Sequence, residues 1–280
     1  MPTAPDRYAV LGNPVAHSQS PVIHTMFAQA TGEPVVYERV LCPLDGFEAA
    51  LREFAAGAKG CNITVPFKFD AMRLATRCSE RAALAQAANV LRFDAEGWYA
   101  DNTDGVGLMR DIEHHAGVAV AGQRVLLMGA GGAAAGVLGP LLERRPAEVV
   151  VANRTVAKAA ALVDRHRALA QQHGVALCAT GLADCGTSFG VVLNSSASSM
   201  AGAEVPVSAQ VLAPGALAVD LMYGPAAAGF LQWAADHGAV GRDGLGMLVE
   251  QAAEAFFVWR GVRPATAPVL TALRQRLAAA

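Results

Sequence analysis

Apolar positions along this chain fall into short runs and longer periodic stretches, and the two kinds alternate. Tyr8–Leu11, Val35–Tyr37, Lys59–Thr64, Val125–Met128, Glu148–Ala152, Val175–Cys178, Val191–Leu193 and Leu217–Leu221 have the length and side-chain character of strands. The run before Gly129 is apolar at every position, as expected of a strand covered on both faces of a parallel sheet. Helices are expected between these runs. Ser20-Pro21 opens one, with Ser20 as N-cap and the proline at the first helical position. Leu44–Ala56 is a second, stopped by Gly57; more helix follows Lys68, and Ala133–Leu142 is another. Thr155–His173 carries an apolar stripe of Val156, Ala159, Ala160 and Val163. From Asp243 a long helix sets Leu245, Leu248, Val249, Ala252 and Phe256 on one stripe, while Met247 and Gln251, four apart, share a different face.

Strand–helix alternation of this kind implies open α/β sheets. Leu91–Phe93 and Trp98–Tyr99 flank Asp94-Ala95-Glu96-Gly97 and read as a hairpin added to the first sheet. A break at Asp101–Gly105, where a helix leads out of the first strands, divides the chain into a first domain over residues 1–104 and a second over 105–244. The helices over about 245–280 are expected to pack back on the first domain and complete it.

The second domain opens on a motif. In RVLLMGAGGAAAGVLGPLL, Gly129, Gly131 and Ala134 fit the spacing G-x-G-x-x-G/A between a strand and a helix. With Ala130, Gly132 and Ala133 they form a turn short of side chains, whose backbone N–H groups and helix N-terminus can approach a pyrophosphate. This context favours a Rossmann-type dinucleotide site over an ordinary glycine-rich turn. The next strand ends in Asn153-Arg154-Thr155, with Lys158 one turn further. A site for NAD generally presents a carboxylate about 20 residues beyond the glycines. Here none repels a 2′-phosphate, Arg154 can bind one bidentately and Lys158 adds charge, so NADP is the expected cofactor. The bland alternative has Thr155 capping the helix and Arg154 solvated on a loop.

Composition narrows the function classes. A chain of 280 residues with formal charge −2 and no Lys/Arg run has no electrostatic footprint for nucleic acid or an anionic membrane. No uncharged apolar stretch is long enough to span a bilayer, and Met1–Gly12 lacks the basic-then-apolar pattern of a secretion signal. The five cysteines are scattered, with no C-x-x-C, which argues against a disulfide framework or a metal site and for a reducing cytoplasm. Nothing in the pattern distinguishes a monomer from a homodimer.

Polar groups at chain turns supply the candidate chemistry. Ser18 and Ser20 sit at a helix N-terminus, where hydroxyls and free N–H groups can hold a carboxylate; alone, Ser20 as a mere cap is the simpler reading. In NITVPFK, Asn62 and Thr64 alternate to the same side of a strand end and Lys68 follows just beyond it. A lone lysine is usually a solvated charge, and Asp104 alone can be a residue favouring its own helix dipole.

NITVPFK, DNTDG and DGLGML together resemble the shikimate dehydrogenases, enzymes of aromatic amino-acid and chorismate biosynthesis, and GNPVAHSQSP, GAGGAA, ANRT and EQAAEAF extend the likeness over nearly the whole chain. The resemblance implies shikimate in the first domain and NADP in the second. It implies Ser18 and Ser20 on the substrate carboxylate with Thr64 nearby, and Asn62, Lys68, Asn89 and Asp104 on the ring hydroxyls, Lys68 and Asp104 being the catalytic pair. Tyr223 and Gln251 would also contact substrate, and Gly244 would lie close to the nicotinamide. Reduction of the 3-ketone of 3-dehydroshikimate creates an alkoxide that needs a proton. A free lysine, with a pKa near 10.4, is a good acid for that step and a poor base for its reverse at neutral pH.

The chain departs from the family pattern in places: Ala135 replaces an arginine, Val90 follows Asn89 where a threonine is usual, Ser199 replaces a glycine in the loop after Asn194, and Gly224-Pro225-Ala226 after Tyr223 is less polar than usual. Two alternatives to a shikimate dehydrogenase remain, a quinate/shikimate dehydrogenase with relaxed cofactor use and a non-catalytic NADP-binding regulator. Retention of both Lys68 and Asp104 argues against the second.

Overall fold

A computed structural model describes residues 4–196 and 204–278. In chain order the elements are β1 (Asp6–Gly12), α1 (Ser20–Thr31), β2 (Val35–Leu41), α2 (Phe47–Ala55), β3 (Gly60–Ile63), α3 (Lys68–Leu74), β4 (Arg77–Cys78), α4 (Glu80–Ala85), β5 (Val90–Asp94), β6 (Gly97–Asp101) and α5 (Asp104–Arg110). Then follow β7 (Arg124–Met128), α6 (Gly132–Glu143), β8 (Glu148–Ala152), α7 (Val156–His173), β9 (Ala176–Thr180), β10 (Phe189–Asn194), β11 (Leu212–Asp220), α8 (Ala228–Asp236), β12 (Val240–Arg242), α9 (Leu245–Arg260) and α10 (Ala267–Ala278). They form two compact units: the chain up to Gly107 together with the chain from Leu248 onward, and Leu108–Met247. The chain leaves the first unit within α5 and returns to it within α9.

The first unit is built on a mixed sheet in the order β2-β1-β3-β5-β6-β4. β1 pairs in parallel with β2 and β3, whereas β5 runs antiparallel to both β3 and β6. β5 and β6 are the expected hairpin, closed where Asp94 faces Gly97. One core cluster packs Leu11, Leu51, Phe54, Ile63, Phe67 and Leu91 together. Within it the rings of Phe47 and Phe67 stack 4.3 Å apart, which pins α2 to the residue preceding α3. α2 begins later than the pattern predicts, because Leu44–Gly46 is used in a turn closed by the Gly46 N–H on the Pro43 carbonyl.

The second unit carries an all-parallel sheet in the order β12-β11-β10-β7-β8-β9. Read from β7, this is the doubly wound nucleotide-binding topology, with its switch point between β7 and β10. Val125–Met128 is fully buried, as a doubly covered strand requires. The stripe of α7 differs from expectation: Ala159, Leu162, Val163, His166 and Ala170 face inward, while Val156 is 47% exposed. Val156 is the first residue of the helix and has no turn before it to carry it over the sheet. No helix among the described residues is long and apolar enough to cross a membrane.

Candidate functional site

Lys68 is the first residue of α3, held there by the buried ring of Phe67. Its Nζ lies 2.5 Å from Oδ2 of Asp104, the first residue of α5, and both side chains are largely buried. The other carboxylate oxygen accepts a 2.9 Å bond from Nδ2 of Asn89. Asn89 Nδ2 also faces Thr103 Oγ1 at 2.9 Å and Gln251 Oε1 at 3.1 Å, and its Oδ1 accepts from the Thr103 N–H at 2.8 Å. A backbone N–H on one side and a carboxylate on the other leave only one orientation for this amide. Gln251, seven per cent exposed, is a buried member of the same cluster rather than the surface residue that its spacing alone suggests. Lys68, Asn89, Asp104 and Gln251, far apart in sequence, therefore meet in one place.

Asn62 adjoins them. Its Nδ2 donates to the Asn89 carbonyl at 3.1 Å and its Oδ1 accepts from the Tyr37 hydroxyl at 2.7 Å. Thr64 follows β3, half-buried, its N–H on the Leu11 carbonyl at 2.9 Å. A Cβ at Gly12 would stand 2.2 Å from Thr64 Cγ2, so only glycine lets the Thr64 side chain take this place. Ser18 and Ser20 sit together, with Oγ atoms 3.2 Å apart. Ser20 is the first residue of α1 rather than its cap; Gln19 holds the cap position without a side-chain bond. Ser18 Oγ instead accepts the Ser20 N–H at 3.3 Å, and Arg39 fixes that loop through two bonds to the Ser18 carbonyl, at 3.0 and 2.6 Å.

The sequence reading missed the support of this cluster. Asp101, buried at the end of β6, accepts two bonds of 2.7 Å from Arg81 and one of 2.5 Å from Ser79 Oγ. Arg81 also reaches Glu254 of α9 at 3.2 Å. Asn102 continues inward, its Oδ1 accepting the Asp104 N–H at 3.2 Å and its Nδ2 donating to the Ala87 carbonyl at 2.9 Å. The DNTD string was a legible signal, but its partners lie too far along the chain to be named from it.

In the second unit the glycine turn follows β7 directly. Gly129, directly after β7, has φ +111°, and a Cβ there would sit 2.5 Å from Ser195 Oγ, which bonds the Met128 carbonyl at 2.7 Å. A side chain would fill the space between the ends of β7 and β10, which is the switch point. Ala130, Gly132 and Ala133 are half-buried and Gly131 is exposed with open space where a Cβ would be. Gly131 caps α6 and offers no side chain to its first N–H groups. These features fit a bound pyrophosphate. Thr155 caps α7 in extended conformation, and Asn153 Nδ2 donates to its carbonyl at 2.9 Å. Arg154 and Lys158 are exposed and make no ion pair among the described residues, so both are available to a phosphate. Tyr223 and Gly244 also belong to this unit. Gly244 is buried, its N–H on the Met222 carbonyl at 2.8 Å, and Tyr223 is half-buried before a short 3-10 turn. Ser199 lies outside the described residues. Val90 and Ala135 are fully or nearly fully buried.

A doubly wound sheet with a glycine turn at its switch point, in one chain with a separate unit holding a buried lysine–aspartate pair, is the build of a two-domain nucleotide-dependent dehydrogenase. The family profile described as the shikimate dehydrogenase substrate binding domain matches residues 10–91, that of shikimate/quinate 5-dehydrogenase matches 112–204, and that of the shikimate 5′-dehydrogenase C-terminal domain matches 244–274. A shikimate dehydrogenase (NADP+) of Methylibium petroleiphilum is 64% identical over 278 residues, 97% of this chain and 95% of that one. The crystal structure of an Ael1 enzyme from Pseudomonas putida superposes with a TM-score of 0.85 at 46% identity, covering 96% of this chain and 98% of the other. Shikimate 5-dehydrogenase from Thermus thermophilus, in complex with NADP(H) and shikimate, gives 0.83 at 30% identity over 96% and 99%. The chain belongs to the shikimate dehydrogenase (NADP+) family.

Proposed function

We propose that this chain catalyses the reversible, NADPH-dependent reduction of 3-dehydroshikimate to shikimate, with Lys68 as the proton donor. The observation that carries the reading is the Lys68–Asp104 pair, fixed from outside by Asn89 and located in the unit whose strands and helices hold Ser18, Ser20, Asn62, Thr64 and Gln251. When bound, NADPH supplies a hydride to the carbonyl carbon. Lys68 gives a proton to the carbonyl oxygen, which becomes the 3-hydroxyl, and is reprotonated from water. Asp104 holds the ammonium in place with one oxygen while Asn89 holds the other, so the donor need not be oriented during the reaction. Ser18 and Ser20, two hydroxyls side by side, take the substrate carboxylate; Asn62, Thr64, Asn89, Gln251 and Tyr223 take its hydroxyls. For the cofactor, Gly129–Ala133 and Gly244 accept the pyrophosphate and nicotinamide halves, and Asn153, Arg154, Thr155 and Lys158 the 2′-phosphate. The reaction is assigned to the cytoplasm, in keeping with five unpaired thiols.

The test is a steady-state assay of the purified chain, following NADPH absorbance with shikimate and quinate against NADP and NAD. Turnover of shikimate with NADP well above the other combinations is expected. Comparable rates on quinate or with NAD would replace the reading with a broader quinate/shikimate dehydrogenase, and NADP binding without turnover would make the chain a regulator.

A further inference from the structure

Asn62 is supported by a residue that no part of the reaction accounts for. Tyr37 stands on β2 and Asn62 on β3, with β1 between them in the sheet. The tyrosine reaches across β1 to donate its hydroxyl to Asn62 Oδ1 at 2.7 Å. Its ring is held flat: His24 of α1 stacks on it at 4.2 Å with an interplanar angle of 9°, and Trp259 of α9 closes in at 6.3 Å from the tyrosine and 5.3 Å from the histidine. His24 is fully buried, and neither of its ring nitrogens makes a hydrogen bond of normal geometry. Burial lowers its pKa to about 3, with neighbouring Asn62 opposing only in part, so the imidazole is a neutral plate against the phenol. Burial likewise pushes the Tyr37 phenol well above its ordinary value, with the neighbouring Ser20 hydroxyl opposing only in part, so it remains a donor throughout the working range.

The bonding of Asn62 then has one solution. The Asn89 carbonyl can only accept, so it requires Nδ2 of Asn62 on that side, and Tyr37 takes Oδ1. Of the two Nδ2 hydrogens one is spent on Asn89 and one is left. Without the phenol, Oδ1 would lose its fixed donor and the amide could swing about its single remaining bond. We propose that Tyr37 is a positioning residue for the substrate: through Asn62 it aims one N–H donor at a substrate oxygen. This rests on the reading of Asn62 as a substrate contact. Because an N–H donor suits a hydroxyl and a ketone oxygen equally, the device acts on binding in both directions of the reaction and on neither proton transfer.

The experiment is a double-mutant cycle on the KM for shikimate, with Tyr37→Phe, Asn62→Ala and the double variant, each checked by thermal melting. Tyr37→Phe keeps the ring stack and removes only the hydroxyl. The expected result is a five- to tenfold rise in KM for Tyr37→Phe, the size of one lost hydrogen bond, with kcat within about twofold. In the Asn62→Ala background the same substitution should leave KM unchanged, because the residue through which it acts is gone. An equal rise in both backgrounds, or no rise in the parent, overturns the proposal while leaving Asn62 as a contact. An unaltered KM in Asn62→Ala alone overturns the contact itself, and the proposal with it.

Discussion

The Lys68–Asp104 pair is nearly out of water, and at that depth a salt bridge is a poor source of stability, since desolvating two charges costs about as much as their attraction returns. Its value lies in geometry. Lys68→Met keeps the length of the side chain and removes the transferable proton; kcat should fall by about 10²–10⁴, the range for losing a general acid, while shikimate still binds. Single-turnover rates together with shikimate binding measured by calorimetry check this, and near-normal turnover would remove Lys68 from its role. Lys68 follows a strand end closely, but alone it reads as a solvated charge, and its role is implied only by the family resemblance. Asn89 was legible only through the family resemblance. Its partners stand 14, 15 and 162 positions away, and no local period marks a residue whose whole environment is assembled by tertiary contacts. The roles of Tyr37 and His24 were invisible for the same reason: both read as ordinary residues of an apolar strand and an apolar helix.

At the scale of elements, β7, its turn and α6 could be drawn from sequence almost residue by residue, because a buried strand, a glycine turn and an alanine-rich helix each leave a local mark. β4, two residues long, and β12, three residues long, left none, since a strand that short has no period to detect. Ser20 shows a second limit: a serine before a proline has the signature of a cap, yet the helix starts one residue earlier, with the N–H of Ser20 satisfied by Ser18. The cofactor choice belongs to this scale too, at the β8–α7 junction. Arg154 is exposed and makes no ion pair among the described residues, so removing it breaks none of theirs. Arg154→Ala should weaken NADP by about 1.5–3 kcal/mol, as for a hydrogen bond to a charged group, and leave NAD nearly unaffected. Fluorescence titration with both nucleotides reads the difference, and equal losses would dismiss a 2′-phosphate contact.

For the whole molecule, each unit buries one histidine that is neutral when folded: His24 in the first, lowered by burial to about 3, and His166 in the second, lowered chiefly by burial to about 4. Both lie below the ordinary 6.5, so the unfolded chain takes up protons that the folded chain refuses. Their contribution to stability is complete above pH 6.5 and is lost as pH falls toward 4 and 3, at up to about 1.4 kcal/mol per pH unit for each histidine. Urea midpoints should therefore drop between pH 6.5 and 5, before most carboxylates titrate, and His24→Phe should flatten that slope. A slope unchanged by the substitution would mean that His24 is protonated in the folded protein. The two-sheet architecture itself was readable, because strand and helix alternate so regularly. The mixed pairing in the first sheet was only partly so, since the parallel partnership of β4 with β6 has no sequence signature.

The first unit is completed by the chain from Leu248 onward, where α9 supplies Gln251 to the Lys68 cluster, Glu254 to Arg81 and the indole of Trp259 to the Leu91 carbonyl. On the ribosome this has a cost in time. β1 to α5 precede the second unit, Leu108–Met247, and lack these partners until α9 has been made, whereas that unit is continuous and can close before α9 is complete. The first unit is therefore begun before the second and closed after it.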